Sequence, residues 1–196
     1  MSNWSEQRKA AVDAVMKRTI NQAAVHVLRE TGVENITMDR VAAEAGVAKG
    51  TIYNYFSSKE ELLAAIYEHL MQPIKDRVEE IAGSPVSADQ KLKAIIFESI
   101  RFCEENRSTL ALFQKSAYSP KEDWGEREGF VGLLEDLIEA GVVEKVFRPQ
   151  NARRSAEMLL GVIIGFFEFR IHRDESVDVD AEFNEIWNFF FRALAR

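Results

Sequence analysis

Residues 37–63, TMDRVAAEAGVAKGTIYNYFSSKEELL, hold two short helical patterns, a glycine corner and the opening of a third helix. Val41, Ala42 and Ala45 form the apolar face of the first pattern, and Gly46 stands where a helix-to-helix corner favours a residue without a Cβ. The second helix spans about Lys49 to Phe56, with Ile52 and Phe56 one turn apart and therefore both able to face inward. Lys49, Gly50, Thr51, Tyr53, Asn54 and Tyr55 are left largely outward. A cation, a bare backbone, hydroxyls, an amide and two aromatic rings suit a helix that enters a DNA major groove. The segment reads as a helix-turn-helix.

Outward from this segment the pattern is helical nearly everywhere. From about Glu6 to Thr31 the positions Val12, Val15, Thr19, Ala23 and Val27 keep a helical spacing, and Gly32 is a suitable stop. Ser58 opens a long helix, about 58–82, with Glu61 as its capping-box partner and a stripe of Leu62, Ile66, Leu70, Ile74, Val78 and Ile81. Pro73 interrupts it, removes one ladder bond and predicts a kink. Ser87 and Gln90 suggest a second capping box ahead of the stripe Leu92, Ile96, Ile100, Cys103. Further helices are expected near 107–118, 127–140, 151–172 and 180–195, punctuated by Pro120, Gly141 and Pro149. No alternating stretch is long enough to predict a sheet. The expected fold is all-α, with an N-terminal three-helix domain and a C-terminal helical bundle.

Composition narrows the class. A chain of 196 residues holds one or two domains with a substantial core. The single cysteine, Cys103, excludes an intramolecular disulfide and suits a reducing compartment. The N-terminal stretch MSNWSEQRKAAVDAV lacks the apolar segment of a signal peptide, and the apolar run Met158–Phe167 is too short to span a bilayer. A cytoplasmic protein with no membrane partner is expected. The net charge of −7 is unusual for a DNA binder, but residues 1–70 carry 8 Lys/Arg against 9 Asp/Glu, so the acidity lies mainly beyond them. A local basic face (Arg8, Lys9, Lys17, Lys49, Lys59) and helix N-termini would have to meet the phosphates.

The run from Gly46 to Phe56, followed by Lys59-Glu60-Glu61-Leu62, closely resembles the N-terminal signature of TetR-type transcriptional regulators. Ile20, Ala23, Ala24, Val27, Leu28, Gly32 and Thr37 fall where that family carries its first helix and the start of its second. The resemblance covers roughly residues 15–66; Ala48 departs from it, since many relatives carry a serine there. It implies a DNA-binding domain over 1–58 and an effector-binding and dimerisation domain over 59–196. It also implies that Lys49 and Gly50 approach base edges and that Tyr53 and Asn54 reach bases or thymine methyl groups. Thr37, Thr51, Tyr55 and Lys59 would hold phosphates. The implied partners are a palindromic operator in double-stranded DNA, a second copy of the chain and a small-molecule effector, with no cofactor and no metal.

Twelve of the 13 phenylalanines follow residue 90, among them Phe189-Phe190-Phe191. Helical neighbours sit about 100° apart, so three consecutive rings cannot share one stripe, and some must face another surface. Gly161 and Gly165, one turn apart, allow another helix to approach. The resemblance places them with Phe169, Phe183, Trp187 and Phe190 in a dimer interface. Phe97, Ile100, Phe113, Trp124, Phe130, Leu134, Met158 and Phe166 are candidates to line a pocket for an apolar or aromatic effector, although ordinary core accounts for any one of them more simply. An enzyme finds little support: His26, His69 and His172 lack ligand spacing, and no nucleophile elbow, P-loop or dinucleotide fingerprint occurs. The alternative is a ligand-binding or scaffold protein of the same fold without an operator.

Overall fold

Helix-forming segments, glycine corners and serine or aspartate caps translate directly into eight helices in the computed structural model, which describes residues 3–114, 124–171 and 177–195. They are α1 (Asn3–Asn35), α2 (Met38–Ala45), α3 (Lys49–Tyr53), α4 (Lys59–Gly83), α5 (Ala88–Gln114), α6 (Trp124–Val143), α7 (Ala152–Ile171) and α8 (Val179–Leu194). Among the described residues the only extended pairing is an isolated bridge between Phe147 and Ala195. No helix among them is long and apolar enough to cross a membrane. Pro120, His172 and the Trp124 side chain lie outside the described residues.

The chain divides into two compact units. One takes in the chain to Gln72 and rejoins it at Leu112, while the other begins at Pro73 and resumes beyond the first unit's second segment. The first unit therefore reaches further along α4 than residue 58, because Leu62, Leu63 and Ile66 are all buried in its core. Pro73 lies inside α4, which continues through it to Gly83. Lacking an amide hydrogen, the proline leaves the His69 carbonyl without its usual helical donor at the boundary between the units.

In the first unit Ile20, Ala24 and Leu28 of α1 meet Val41 and Ala42 of α2, Ile52, Phe56 and the start of α4. The inward stripe of α1 thus starts at Met16, half-buried against this core, and is fully buried from Ile20. Val12 and Val15, read above as part of it, are 61% and 66% exposed. Their spacing fits a helix but not the face that meets the core, and periodicity alone does not distinguish the two. Gly32, at φ 75°, breaks the helical geometry where a stop was expected.

In the second unit Leu92, Ile95, Ile96 and Ile100 of α5 pack with Leu134 and Ile138 of α6, Leu159 and Ile163 of α7, and Phe183 and Phe190 of α8. α5 runs unbroken to Gln114, so no separate helix starts near 107. Arg153 of α7 ties itself to α6, with Nη2 at 2.5 Å from Glu128 and Nη1 at 3.4 Å from Glu135. A turn after α6 returns Phe147 over Gly141, whose carbonyl accepts from Val146 and Phe147 at 2.9 and 3.0 Å. The Arg148 amide then donates to the Leu194 carbonyl at 2.9 Å, which fastens the end of α8.

Candidate nucleic-acid interface

The corner that sets α2 against α3 is built by Gly46 at φ 67°, ψ 30°. Its N–H reaches the Ala43 carbonyl at 3.2 Å and the Val47 N–H reaches that of Ala42 at 3.0 Å, so two terminal carbonyls of α2 are satisfied. At the other end of α2, Thr37 Oγ1 accepts from the Arg40 amide at 3.3 Å. Its own hydroxyl hydrogen remains able to donate to a phosphate oxygen. Regular helix in α3 ends at Tyr53, and the Phe56 N–H continues the helical bonding to the Ile52 carbonyl at 2.9 Å. Ala48 contributes no side-chain cap.

Ile52 and Phe56 are buried, as their spacing predicts. Opposite them Lys49, Gly50, Tyr53 and Asn54 are exposed and Thr51 is half-buried. This face is a short polar and aromatic ridge with a rigid apolar footing. Tyr53 is 47% exposed, leaving much of its ring available to a groove.

Three residues expected at DNA carry internal partners. The Tyr55 hydroxyl donates to Asp13 Oδ1 at 2.9 Å, and this bond raises its pKa above the ordinary tyrosine value. Tyr55 thus fastens α1 beside the end of the reading helix, where a free phosphate-binding hydroxyl was expected. Lys59 Nζ donates to the Glu34 carbonyl at 2.9 Å, across the turn between α1 and α2. Lys49 Nζ lies 2.7 Å from Asp39 Oδ1, and the hydrogen bond to that carboxylate raises its pKa. Asp13, Glu34 and Asp39 had no signal of their own in the sequence, because each acts across a separation that only the folded domain closes.

The α4 cap also differs in register from the expectation. Ser58 Oγ accepts from the Glu61 amide at 3.2 Å, but the Glu61 carboxylate takes the Ser57 N–H at 2.6 Å, one residue before the expected position. The Ser57 hydroxyl and amide hold that carboxylate below its ordinary pKa.

In the second unit, the residues considered for an effector pocket do not form one lining. Ile100 and Leu134 are wholly within the filled core, and Met158 is 65% exposed on α7. Phe113 belongs to the first unit's core, edge-on to Tyr67 with centroids 5.4 Å apart. Phe97, Phe130 and Phe166 are half-buried against the second core, and Phe97 stands edge-on to Phe183. Cys103 is fully buried, and burial pushes its thiol up to about 12, as expected for an inert core residue. No grouping of metal-ligating side chains occurs among the described residues.

The expected dimer residues fall on two faces. Gly161, Gly165 and Phe169 line an open groove of about 570 Å³ on α7 and α8, together with Phe166, Ile186 and Phe189, with Glu182 and Glu185 also lining it. Phe169 and Phe189 are 71% and 69% exposed. Phe183, Trp187 and Phe190, by contrast, are buried in the chain's own core. The inward stripe of α8 runs 183-187-190-194; Phe189 faces outward, and Ile186, half-buried against the core, forms part of the groove floor.

Residues 20–66 match the family model described as bacterial regulatory proteins, tetR family. The chain is 24% identical over 173 residues to the fatty acid metabolism regulator protein of Bacillus subtilis, covering 85% of this chain and 89% of that one. Its fold is similar to that of a TetR transcription regulator from Haloarcula marismortui, with a TM-score of 0.80 at 23% identity over 93% of this chain and 100% of that one. It is similar also to the transcriptional regulator FadR from Bacillus subtilis in complex with stearoyl-CoA, with a TM-score of 0.73 at 24% identity over 89% and 97% of the two chains.

Proposed function

From the premise that residues 20–66 make the chain a member of the tetR family of bacterial regulatory proteins, we propose that it is a sequence-specific transcriptional regulator. It acts in the cytoplasm as a homodimer and represses by occupying a palindromic operator. The observation that carries this reading is the α3 ridge. Lys49, Gly50, Tyr53 and Asn54 stand exposed on a helix anchored by Ile52 and Phe56, behind a glycine corner of fixed geometry. Lys49 and Gly50 approach base edges; Tyr53 and Asn54 read bases or thymine methyl groups; Thr37, Thr51 and Lys59 meet phosphates. Tyr55 contributes through its hold on Asp13.

A two-fold dimer presents two such helices to successive turns of one groove face. The exposed apolar groove on α7 and α8 supports that face of the second unit as the dimer contact, through Gly161, Gly165, Phe169 and Phe189. A small apolar effector taken up by the second unit shifts the dimer to a spacing that no longer fits the operator, which requires only a few kcal/mol of preference between the two states. The similar FadR, in complex with stearoyl-CoA, makes a long-chain acyl-CoA thioester, whose acyl chain is the apolar part, the first effector to test.

Selection of bound duplexes from a random pool, followed by titration at two salt concentrations, tests the reading. A two-fold-symmetric site with a clear preference over random DNA is expected, and stearoyl-CoA is expected to release it. Binding that is equal for every sequence and lost with modest salt refutes an operator.

A further inference from the structure

The ion pair between Lys49 and Asp39 points to a control on how the reading helix meets DNA. Both carboxylate oxygens face the ammonium, at 2.7 and 2.9 Å, and both side chains are about three-fifths exposed, so the pair is open to an incoming ligand. Lys49 is the first residue of α3 and Asp39 lies in the first turn of α2. The N-terminus of α2 favours an anion at that position. We propose that Asp39 is a specificity-determining positioning residue, which holds the Lys49 ammonium at the start of the reading helix and withholds it from indiscriminate phosphate contacts. This inference rests on the DNA-reading function proposed above.

The physical argument is a competition. A lysine on a flexible four-carbon stem takes whichever phosphate oxygen lies in range, and such contacts are the same for every sequence. In this chain the Asp39 carboxylate stands against the ammonium, so an anionic phosphate brought to it meets a like charge, whereas a neutral base acceptor does not. The ammonium has three hydrogens, and one remains to donate to guanine O6 or N7. The pair therefore burdens the non-specific mode and spares the specific one. At an exposed site the bias amounts to a several-fold change in preference and does not block binding.

The test compares the full-length chain with Asp39→Asn, Lys49→Ala and the double variant, using anisotropy on the selected operator and on random duplex across a salt series. Asp39→Asn keeps the size and one acceptor oxygen while removing the charge. It is expected to tighten random-duplex binding several-fold, to steepen the logarithmic salt dependence by about one unit, and to lower the ratio of operator to random affinity. In the Lys49→Ala background the same change is expected to leave slope and ratio unmoved. An Asp39→Asn variant with wild-type slope and ratio overturns the proposal. So does an effect that persists without Lys49, since Asp39 would then act as a bare negative charge, and so does a marked loss of thermal stability in Asp39→Asn. A wild-type chain that selects no duplex overturns the proposal together with the DNA-reading function. A wild-type chain that selects a site, paired with a silent Asp39→Asn, overturns this inference alone.

Discussion

Gly141→Ala subjects the second unit to a sharp steric test. An ideal Cβ at Gly141 lies 2.2 Å from Phe147 Cδ2 and 2.5 Å from Cε2, well inside van der Waals contact. Phe147 is only 1% exposed and packs among the residues of the second core, so its ring has little room to retreat. Overpacking of this kind costs about 3 kcal/mol at its upper range. Alanine recovers about 1 kcal/mol of helix propensity relative to glycine. The net destabilisation is about 2 kcal/mol, which for a chain of this size lowers the melting temperature by roughly 4–8 °C. Thermal and urea unfolding followed by far-ultraviolet circular dichroism measure it. Phe147→Leu removes most of the ring edge, so the cost of Gly141→Ala is expected to shrink in that background. A Gly141→Ala protein as stable as wild type, or an alanine cost that Phe147→Leu leaves unchanged, refutes the packing argument.

Other expectations concern the reading domain, the outer face of the second unit and the buried thiol. Tyr55→Phe frees Asp13 from its donor; it is expected to weaken binding to all duplexes alike without altering the selected sequence, as checked by repeating the selection. Phe189→Glu is expected to give a folded monomer by analytical ultracentrifugation, whereas Phe190→Glu, placing a charge in the core, is expected to unfold the second unit. Cys103, raised from 9.0 to about 12 by burial, is expected to resist alkylation at pH 8 until the protein is denatured. Because its folded pKa is raised, the stability it contributes is complete below about pH 9 and is lost as pH climbs toward 12, which unfolding titrations detect.

Local rules account for most of what was legible. Gly46 takes the left-handed conformation expected of a corner, Ile52 and Phe56 point inward, and of the α4 stripe Leu62 and Ile66 are buried in the first core and Val78 and Ile81 in the second, with Leu70 and Ile74 half-buried. Each follows from spacing within a few residues, where helical geometry leaves little choice. The misreadings share a different cause. Val12 and Val15 have the right period on the wrong face. Phe183, Trp187 and Phe190 have apolar neighbours at every offset, so the composition of α8 did not say which ring faces the core. Met158 was read as a pocket candidate by residue type alone, and α7 leaves it largely exposed.

What the sequence determined by itself is the all-helical architecture and the identity of the reading segment, because caps, corners and helical periods are properties of adjacent residues. Only the tertiary structure decided that α4 serves two cores, that α8 turns Phe189 outward, and that Lys49, Tyr55 and Lys59 are held by Asp39, Asp13 and Glu34. Those contacts join residues 10 to 42 positions apart. Their existence depends on how helices pack against one another, which a pattern read along one helix does not contain.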